Sequence, residues 1–284
     1  MLYNIGCHLS IEGGYAALGT RAETVGADTF QFFTKNPRGR SHGRALDESA
    51  AEALRDVMRR GKMKYILAHA PYTYNPASKD ESIRKYTAEA MTEEIMFLEN
   101  VDGAMYNFHP GCHVGQGAHI GMNFVADMLS SILVPGMKTK VLIETMAGKG
   151  TELGRNFEEI AIMIDSVDSS VRDCVGVCLD TCHIHDGGYN IAEDPDSVLE
   201  EFERVIGLDR LCAIHVNDSK NERGAAKDRH ERLGMGHIPC AAIERFITNT
   251  KTAKIPVYLE TPCDLDGYAE EIAMLKKMRD RNAR

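Results

Sequence analysis

The sequence predicts an α/β fold, a (β/α)8 or TIM barrel. Eight short runs rich in Val, Ile, Leu and aromatic residues recur mostly about 35 to 45 residues apart. Amphipathic segments such as 46–60 and 82–100 lie between them. Strands that alternate with helices form parallel sheets with right-handed crossovers, and eight repeats close a barrel. A doubly wound open sheet is the structural alternative.

Each predicted strand is short, as buried parallel strands are. In chain order, the eight runs are YNIGCHL from Tyr3, DTFQFF from Asp28, YILAHA from Tyr65, AMYNFHP from Ala104, KVLIET from Lys140, VGVCLDT from Val175, LCAIHVND from Leu211 and PVYLET from Pro256. Since no linker, low-complexity tract or charge shift divides the chain, we expect one domain over residues 1–284.

Composition narrows the classes of function. Hydrophobic residues make up 43% and charged residues 26%, which is typical of a folded globular protein. No apolar stretch reaches bilayer length, no export signal is evident, and the 8 cysteines are scattered, so we expect a cytoplasmic protein with reduced thiols. The net charge of −9 argues against a basic nucleic-acid-binding surface. Any nucleic-acid role must therefore depend on local charge.

Six of the predicted strands end in, or directly before, a possible metal ligand. These residues are His69, His109, Glu144, Asp180, His215 and Glu260. Strand ends converge on one mouth of a barrel, where active sites are built. A lone histidine at a strand end is more often a hydrogen-bonded core residue, but six ionisable groups in one pocket would repel and desolvate each other unless cations neutralised them. The pattern therefore predicts a polynuclear metal site.

Three more candidate ligands lie just beyond strands: His183, Asp228 and His230. Asp228 and His230 are two residues apart, and in extended backbone this spacing places both side chains on one face. Mixed imidazole and carboxylate ligands favour zinc, with manganese or iron as alternatives. Cys178 and Cys182 lack CxxC spacing, and we expect them to be buried packing residues.

Several segments, in this order, resemble the endonuclease IV family of abasic-site endonucleases over nearly the whole chain. They are GCHLSIEGG (6–14), FTKNPR (33–38), NFHPG (107–111), IETMAGKG (143–150), GVCLDTCH (176–183), HVNDSK (215–220), DRH (228–230) and LETP (259–262). Each segment alone is short, but the segments occur in this order along the chain and agree with the predicted barrel mouth.

The resemblance implies three zinc ions. The implied ligand sets are His69, His109 and Glu144; then Glu144, Asp180, His215 and Glu260; and finally His183, Asp228 and His230. It also implies that Glu144, Glu260 and His109 take part most directly in catalysis. Three divalent cations and four carboxylates give the metal-loaded pocket a net charge of about +2. This local positive charge would allow an acidic protein to bind a phosphodiester substrate.

The implied reaction is hydrolysis of duplex DNA 5′ to an abasic site, leaving a 3′-hydroxyl, together with removal of blocking groups from 3′ ends. Zinc would lower the pKa of water towards ~7 to create the attacking hydroxide. Implied DNA contacts are Asn36, Arg38, Tyr72, Arg229 and His8, although His8 could instead brace the pocket. Thr73 and Gly39 depart from the residues that relatives often carry, which predicts a different penetration of the DNA. We expect a prokaryotic protein that acts as a monomer.

Two other functions fit parts of the pattern. Glu144, Asp180, His215 and Glu260 alone resemble the one-metal site of xylose-isomerase-like sugar isomerases and epimerases. Those enzymes have little need for the five further ligands, so metal stoichiometry would separate the two. A barrel that binds damaged DNA or stores metal without catalysis is the other alternative, and the complete ligand set argues against it.

Overall fold

The computed structural model describes residues 3–37 and 46–282. Within them, eight strands form one parallel sheet in the order β1, β10, β7, β6, β5, β4, β3, β2. They are β1 (Ile5–Cys7), β2 (Gln31–Phe33), β3 (Ile66–His69), β4 (Ala104–Phe108), β5 (Lys140–Glu144), β6 (Val175–Asp180), β7 (Leu211–His215) and β10 (Val257–Leu259). All eight coincide with the predicted runs.

The two ends of this sheet meet. A parallel bridge joins His8 to Gln31, and the Leu9 N–H donates to the Gln31 carbonyl at 2.8 Å, so β1 lies beside β2. This contact closes the sheet, and the open-sheet alternative is therefore wrong. The prediction of a (β/α)8 barrel is confirmed.

Helices follow the strands and pack outside the barrel. They are α1 (Tyr15–Thr24), α2 (Glu48–Gly61), α3 (Glu81–Leu98), α4 (Ala118–Ile132), α5 (Phe157–Ser166), α6 (Thr181–Asp186), α7 (Pro195–Val205), α8 (Cys240–Thr248) and α9 (Leu265–Asn282). Short polar side chains begin several of them: Asp47 accepts the Ala50 N–H at 2.9 Å and Asp80 accepts the Ser82 N–H at 2.8 Å. No helix among the described residues has the length and apolar character needed to cross a membrane.

The barrel interior is filled in layers, because alternate residues of each strand point inward. Six inward residues form an apolar cluster separate from the core beneath the helices: Leu67, Met105, Leu142, Cys178, Ala213 and Tyr258. Two positions further along the same strands, and so on the same inward face, stand His69, Asn107, Glu144, Asp180, His215 and Glu260. The apolar layer is therefore the floor on which the polar residues of the mouth rest.

One element of the mouth lies outside the predicted pattern. A two-stranded antiparallel sheet of β8 (Asp218–Ser219) and β9 (His230–Glu231) follows β7. Asp218 holds its base, because its carboxylate accepts the N–H groups of Gly236 at 2.8 Å and Ile238 at 2.7 Å. This sheet presents the 220–229 connection to the mouth.

Barrel closure requires glycine at position 6. A Cβ there would overlap the carbonyl oxygen of Thr29, at the contact between β1 and the segment leading into β2. We expect Gly6→Ala to reduce the free energy of unfolding, measured in urea, by about 3 kcal/mol or more, the upper range for overpacking. Gly26→Asn is the control: Gly26 has φ +66° with open space around it, and Asn tolerates that conformation. Equal unfolding midpoints for the two variants would contradict this account of closure.

Candidate metal centre

The carboxylate of Glu144 lies at the centre of the mouth, fully buried at the end of β5. Four imidazoles face it. His69 Nε2 and His109 Nε2 lie 3.2 and 3.3 Å from Oε2, and the Nδ1 atoms of His183 and His215 each lie 3.2 Å from Oε1. A lone carboxylate buried this deeply would be strongly destabilising, so the site is built to place positive charge around it.

The groups of the mouth shift one another's pKa values towards the charged forms. Burial by itself would raise the pKa of Glu144, but His215 and His109 outweigh burial and hold it well below its usual range. Burial likewise opposes protonation of His183 and His215, yet nearby anionic groups raise both histidine pKa values well above 6.5. Glu144 therefore stays ionised and needs positively charged partners.

The nine predicted ligands lie in three groups, and each group has the members that the resemblance implied. Within each group, one donor atom from every residue lies within 4.8 Å of the others. The groups are His69, His109 and Glu144; Glu144, Asp180, His215 and Glu260; and His183, Asp228 and His230. Glu144 belongs to two groups, so its carboxylate is placed to serve both.

Backbone carbonyls fix which nitrogen of His69 and His183 is left to bind a metal. His69 Nδ1 lies 2.7 Å from the Ala70 carbonyl, which leaves Nε2 towards Glu144. His183 Nδ1 lies 2.8 Å from the Thr145 carbonyl, which leaves Nε2 3.2 Å from Asp228. A carbonyl can only accept, so when either ring is neutral its Nε2 carries the lone pair that a metal needs.

The third group contains a buried nitrogen that a cation could bind. His230 Nε2 is buried without a hydrogen-bond partner and lies 3.6 Å from both Asp180 Oδ2 and Asp228 Oδ1. Zinc bound at about 2.1 Å to each tetrahedral donor holds neighbouring donors roughly 3.4 Å apart. The spacing and the nitrogen and oxygen donors therefore fit zinc, manganese or iron.

Asp228 reaches the group by a different local geometry from the one predicted. Its φ is +56°, so the backbone from Asp228 to His230 is not uniformly extended. The turn is held by Asp186, whose Oδ2 accepts the Asp228 N–H at 2.9 Å and whose carbonyl accepts the Ala226 N–H at 2.9 Å. The reason given for the convergence of Asp228 and His230 was wrong, although the two side chains do meet.

Several positioning residues were not identified from the sequence. The Asn107 amide donates to Glu144 Oε2, and the Asn217 amide donates to Asp180 Oδ2 at 2.7 Å while its oxygen accepts the Glu260 N–H at 2.8 Å. Both lie in sequence segments in which only the histidine was predicted as a ligand. Gln31 is a third case, and its signal was a polar residue between two buried phenylalanines.

The predicted DNA contacts are spread around the mouth. Tyr72 is 54% exposed, and its ring lies 5.1 Å from Phe33 and 5.5 Å from His109. Asn36 and Arg229 are exposed as well, and Arg229 donates to the Asp228 carbonyl at 2.7 Å. Two of the residues singled out, Arg38 and Gly39, lie outside the described residues.

His8 lies deeper than the other predicted contacts. Its side chain is 17% exposed, Nδ1 is 2.8 Å from Gln31 Nε2, and its ring lies 4.3 Å from that of Phe33. Of its two suggested roles, these contacts favour bracing the pocket.

The two cysteines that flank Asp180 are both fully buried. Burial raises the pKa of the Cys178 thiol to about 12, and burial raises that of Cys182 further. The donor atoms of Cys182, Asp180 and His230 also lie within 4.8 Å of one another. The burial of both thiols agrees with the prediction that they are buried residues.

Comparison with known proteins places this site in a family. Residues 20–278 match the family described as "Xylose isomerase-like TIM barrel". Two relatives named "Probable endonuclease 4" come from Alkaliphilus oremlandii, 49% identical over 97% of both chains, and Clostridium botulinum, 50% identical over 97% of this chain and 98% of the relative. The chain belongs to the endonuclease 4 family.

Solved structures agree with this assignment. Endonuclease IV from Thermus thermophilus superposes with a TM-score of 0.85 at 27% identity, covering 98% of this chain and 99% of that one. A D-tagatose 3-epimerase-like protein superposes with a TM-score of 0.75 at 19% identity over 98% of each chain, a likeness that concerns the fold alone.

The pKa shifts predict how pH changes the effect of zinc. In the metal-free protein, protonated His183 and His215 stabilise the fold below their unfolded pKa of 6.5, and this is lost as pH rises through their raised pKa values. Glu144 and Glu260, whose pKa values are lowered, contribute above 4.5 and lose their contribution as pH falls through the lowered values. Zinc replaces the lost protons, so we expect the gain in Tm on adding zinc to grow above pH 6.5.

Thermal unfolding of metal-free and zinc-loaded protein at pH 6.0 and 8.5 checks this. At a thousandfold excess of zinc over Kd we expect a gain of roughly 10 °C at the higher pH. His119→Gln, an exposed histidine of α4, is the control and should leave the pH dependence unchanged. A gain in Tm that is equal at both pH values would count against the three groups as metal ligands.

Proposed function

We propose that this chain is a DNA-repair endonuclease, one domain over residues 1–284, that holds three zinc ions and hydrolyses the phosphodiester 5′ to abasic sites. The observation that carries the proposal is the set of three donor groups at one barrel mouth, two of which share Glu144. Removal of blocking groups from 3′ ends is a second reaction of the same site. Manganese or iron could replace zinc because the donors are nitrogen and oxygen.

The residues of the mouth have separate tasks. Glu144 and Asp180 are fully buried and hold their positions through the amides of Asn107 and Asn217. His109 is more exposed, at 22%, and stands where a substrate can approach Glu144. When bound, zinc lowers the pKa of water and stabilises the charge that develops on a phosphate. We therefore assign Glu144, Glu260 and His109 to the reacting centre.

Local charge supports a phosphodiester substrate despite the net charge of −9. The nine ligands include four carboxylates, and three divalent cations exceed them by about two positive charges. A concave mouth focuses this charge on whatever enters it. The protein then attracts a backbone phosphate at the site and repels DNA elsewhere, which favours binding only where a nucleotide can enter the mouth.

The rim suggests how an abasic nucleotide is selected. Tyr72 stands exposed above His69 and His109, supported at its edge by Phe33. An aromatic ring can fill the space left by a missing base, and a nucleotide without a base costs less to unstack. We propose that Tyr72, Asn36, Arg38 and Arg229 contact the duplex, that His8 braces the pocket, and that the protein acts as a monomer in the prokaryotic cytoplasm.

The sugar isomerase or epimerase alternative uses one group only: Glu144, Asp180, His215 and Glu260. It leaves the buried His230 nitrogen and the His183 and Asp228 pair without a purpose. It predicts about one metal per chain, whereas the endonuclease predicts three. Metal counting by mass spectrometry separates the two, and tight binding of abasic DNA without cleavage would instead indicate a binding protein.

The proposal is tested by cleavage of an end-labelled duplex that contains one abasic analogue. We expect incision 5′ to the analogue that a strong zinc chelator abolishes. Glu144→Gln should reduce the rate by more than ~100-fold, because it removes the shared charge and exceeds the loss of an outer-shell partner. Glu158→Gln, the same change at an exposed position of α5, should cleave normally. Full activity of Glu144→Gln with normal zinc content would refute its bridging role.

Tyr72 should contribute to binding more than to the chemical step. We expect Tyr72→Ala to raise the Kd for abasic duplex about 5- to 150-fold, the range for loss of one stacking contact, with little change in the rate at saturation. Tyr72→Phe keeps the ring and should bind nearly as well as the wild type. Fluorescence anisotropy with zinc-loaded protein and an abasic duplex that carries a non-hydrolysable phosphate analogue measures Kd, and an unchanged value for Tyr72→Ala would contradict the assignment.

A further inference from the structure

Gln31 is a fully buried polar residue that has no assigned role in the endonuclease reaction. It stands on β2 between Phe30 and Phe32, and its side chain enters the mouth. The amide oxygen lies 2.6 Å from His215 Nε2. The amide nitrogen donates to Glu260 Oε1 at 2.6 Å and lies 2.8 Å from His8 Nδ1. One side chain thus contacts two of the nine candidate ligands.

The chemistry of these partners leaves only one orientation of the amide. The ionised carboxylate of Glu260 can only accept, so the NH2 group of Gln31 must face it. The oxygen must then face His215, and because an amide oxygen only accepts, His215 carries its proton on Nε2. Once His215 is neutral, as metal binding requires, its lone pair is therefore on Nδ1.

Nδ1 is the atom that faces the other ligands. It lies 3.1 Å from Glu260 Oε2, 3.2 Å from Glu144 Oε1 and 3.7 Å from Asp180 Oδ2. His69 and His183 are fixed by backbone carbonyls, whereas His215 depends on a side chain for the same purpose. Removing that side chain leaves the ring free to take either tautomer.

We propose that Gln31 is a positioning residue that fixes Nδ1 as the metal-binding nitrogen of His215 and orients Glu260 in the same metal group. This rests on the proposed metal centre. The same amide donates to His8 Nδ1, which places the proton of a neutral His8 on Nε2. Gln31 therefore links the first strand of the barrel to two ligands of the seventh and eighth barrel strands.

The side chain can be tested apart from the fold. Barrel closure uses the backbone of Gln31, whose carbonyl accepts the Leu9 N–H at 2.8 Å, and a substitution keeps this bond. Gln31→Met preserves length and removes both amide contacts. Gln31→Glu keeps an acceptor for His215 but loses the donor to Glu260 and His8. Thr29→Val is the matched control: it removes a buried hydroxyl that bonds the Tyr65 carbonyl at 2.7 Å, on the apolar side of the ligands.

The first readout is zinc affinity, measured by competition with a chromophoric chelator and independent of DNA cleavage. We expect Gln31→Met to release one zinc ion about 10- to 100-fold more readily than the wild type, the usual effect of losing an outer-shell partner. Thr29→Val should retain zinc normally. Saturating zinc should return kcat of Gln31→Met to within a few-fold of the wild type, since Gln31 does not touch the substrate.

The second readout is the nitrogen of His215 that binds zinc in the zinc-loaded protein, identified by long-range 1H–15N correlation. We expect Nδ1 in the wild type and in Gln31→Glu, and a mixture of Nδ1 and Nε2 in Gln31→Met. If Gln31→Met does not fold, Gln31→Glu carries the affinity test, because it too should bind zinc more weakly. Wild-type zinc affinity in both variants would overturn the inference. A wild type that binds no zinc would instead overturn the proposed function.

Discussion

The need to keep one buried carboxylate charged governs this molecule. Glu144 is fully buried, and four imidazoles from four different barrel segments surround it at 3.2 to 3.3 Å. Neither the carboxylate nor the imidazoles could be placed there alone, because each buried charge depends on the others for compensation. Cations bound between them would satisfy the same requirement and would add reactivity. Stability of the mouth and its chemistry therefore have a common physical origin.

The barrel solves the problem of bringing these groups together. Strand alternation puts an apolar residue below each polar one, so the ligand layer stands on a dry floor that includes Leu142 beneath Glu144 and Ala213 beneath His215. Parallel strands point all these residues to one end. The third group cannot be reached from strand ends alone, and the β8–β9 sheet brings Asp228 and His230 over the mouth to complete it.

Around the ligands lies a shell of amides and backbone carbonyls that decides the direction of each donor atom. Asn107, Asn217 and Gln31 each bond a carboxylate ligand, and the carbonyls of Ala70 and Thr145 each bond an imidazole. Such contacts convert a crowd of ionisable groups into a set with defined lone pairs. Outside this shell, at the rim of the mouth, the ring of Tyr72 is exposed.

The sequence by itself determined the eight strands and the six candidate ligands at strand ends, because apolar runs mark strands locally and the parallel strands of a barrel all end at one mouth. Resemblance to a family added the division into three groups. Only the tertiary structure decided that Asp228 sits at φ +56° on the Asp186 carboxylate, or that Gln31 meets His215, 184 residues away. Such hydrogen bonds depend on the closed barrel and on the orientation of single side chains, which no local pattern encodes.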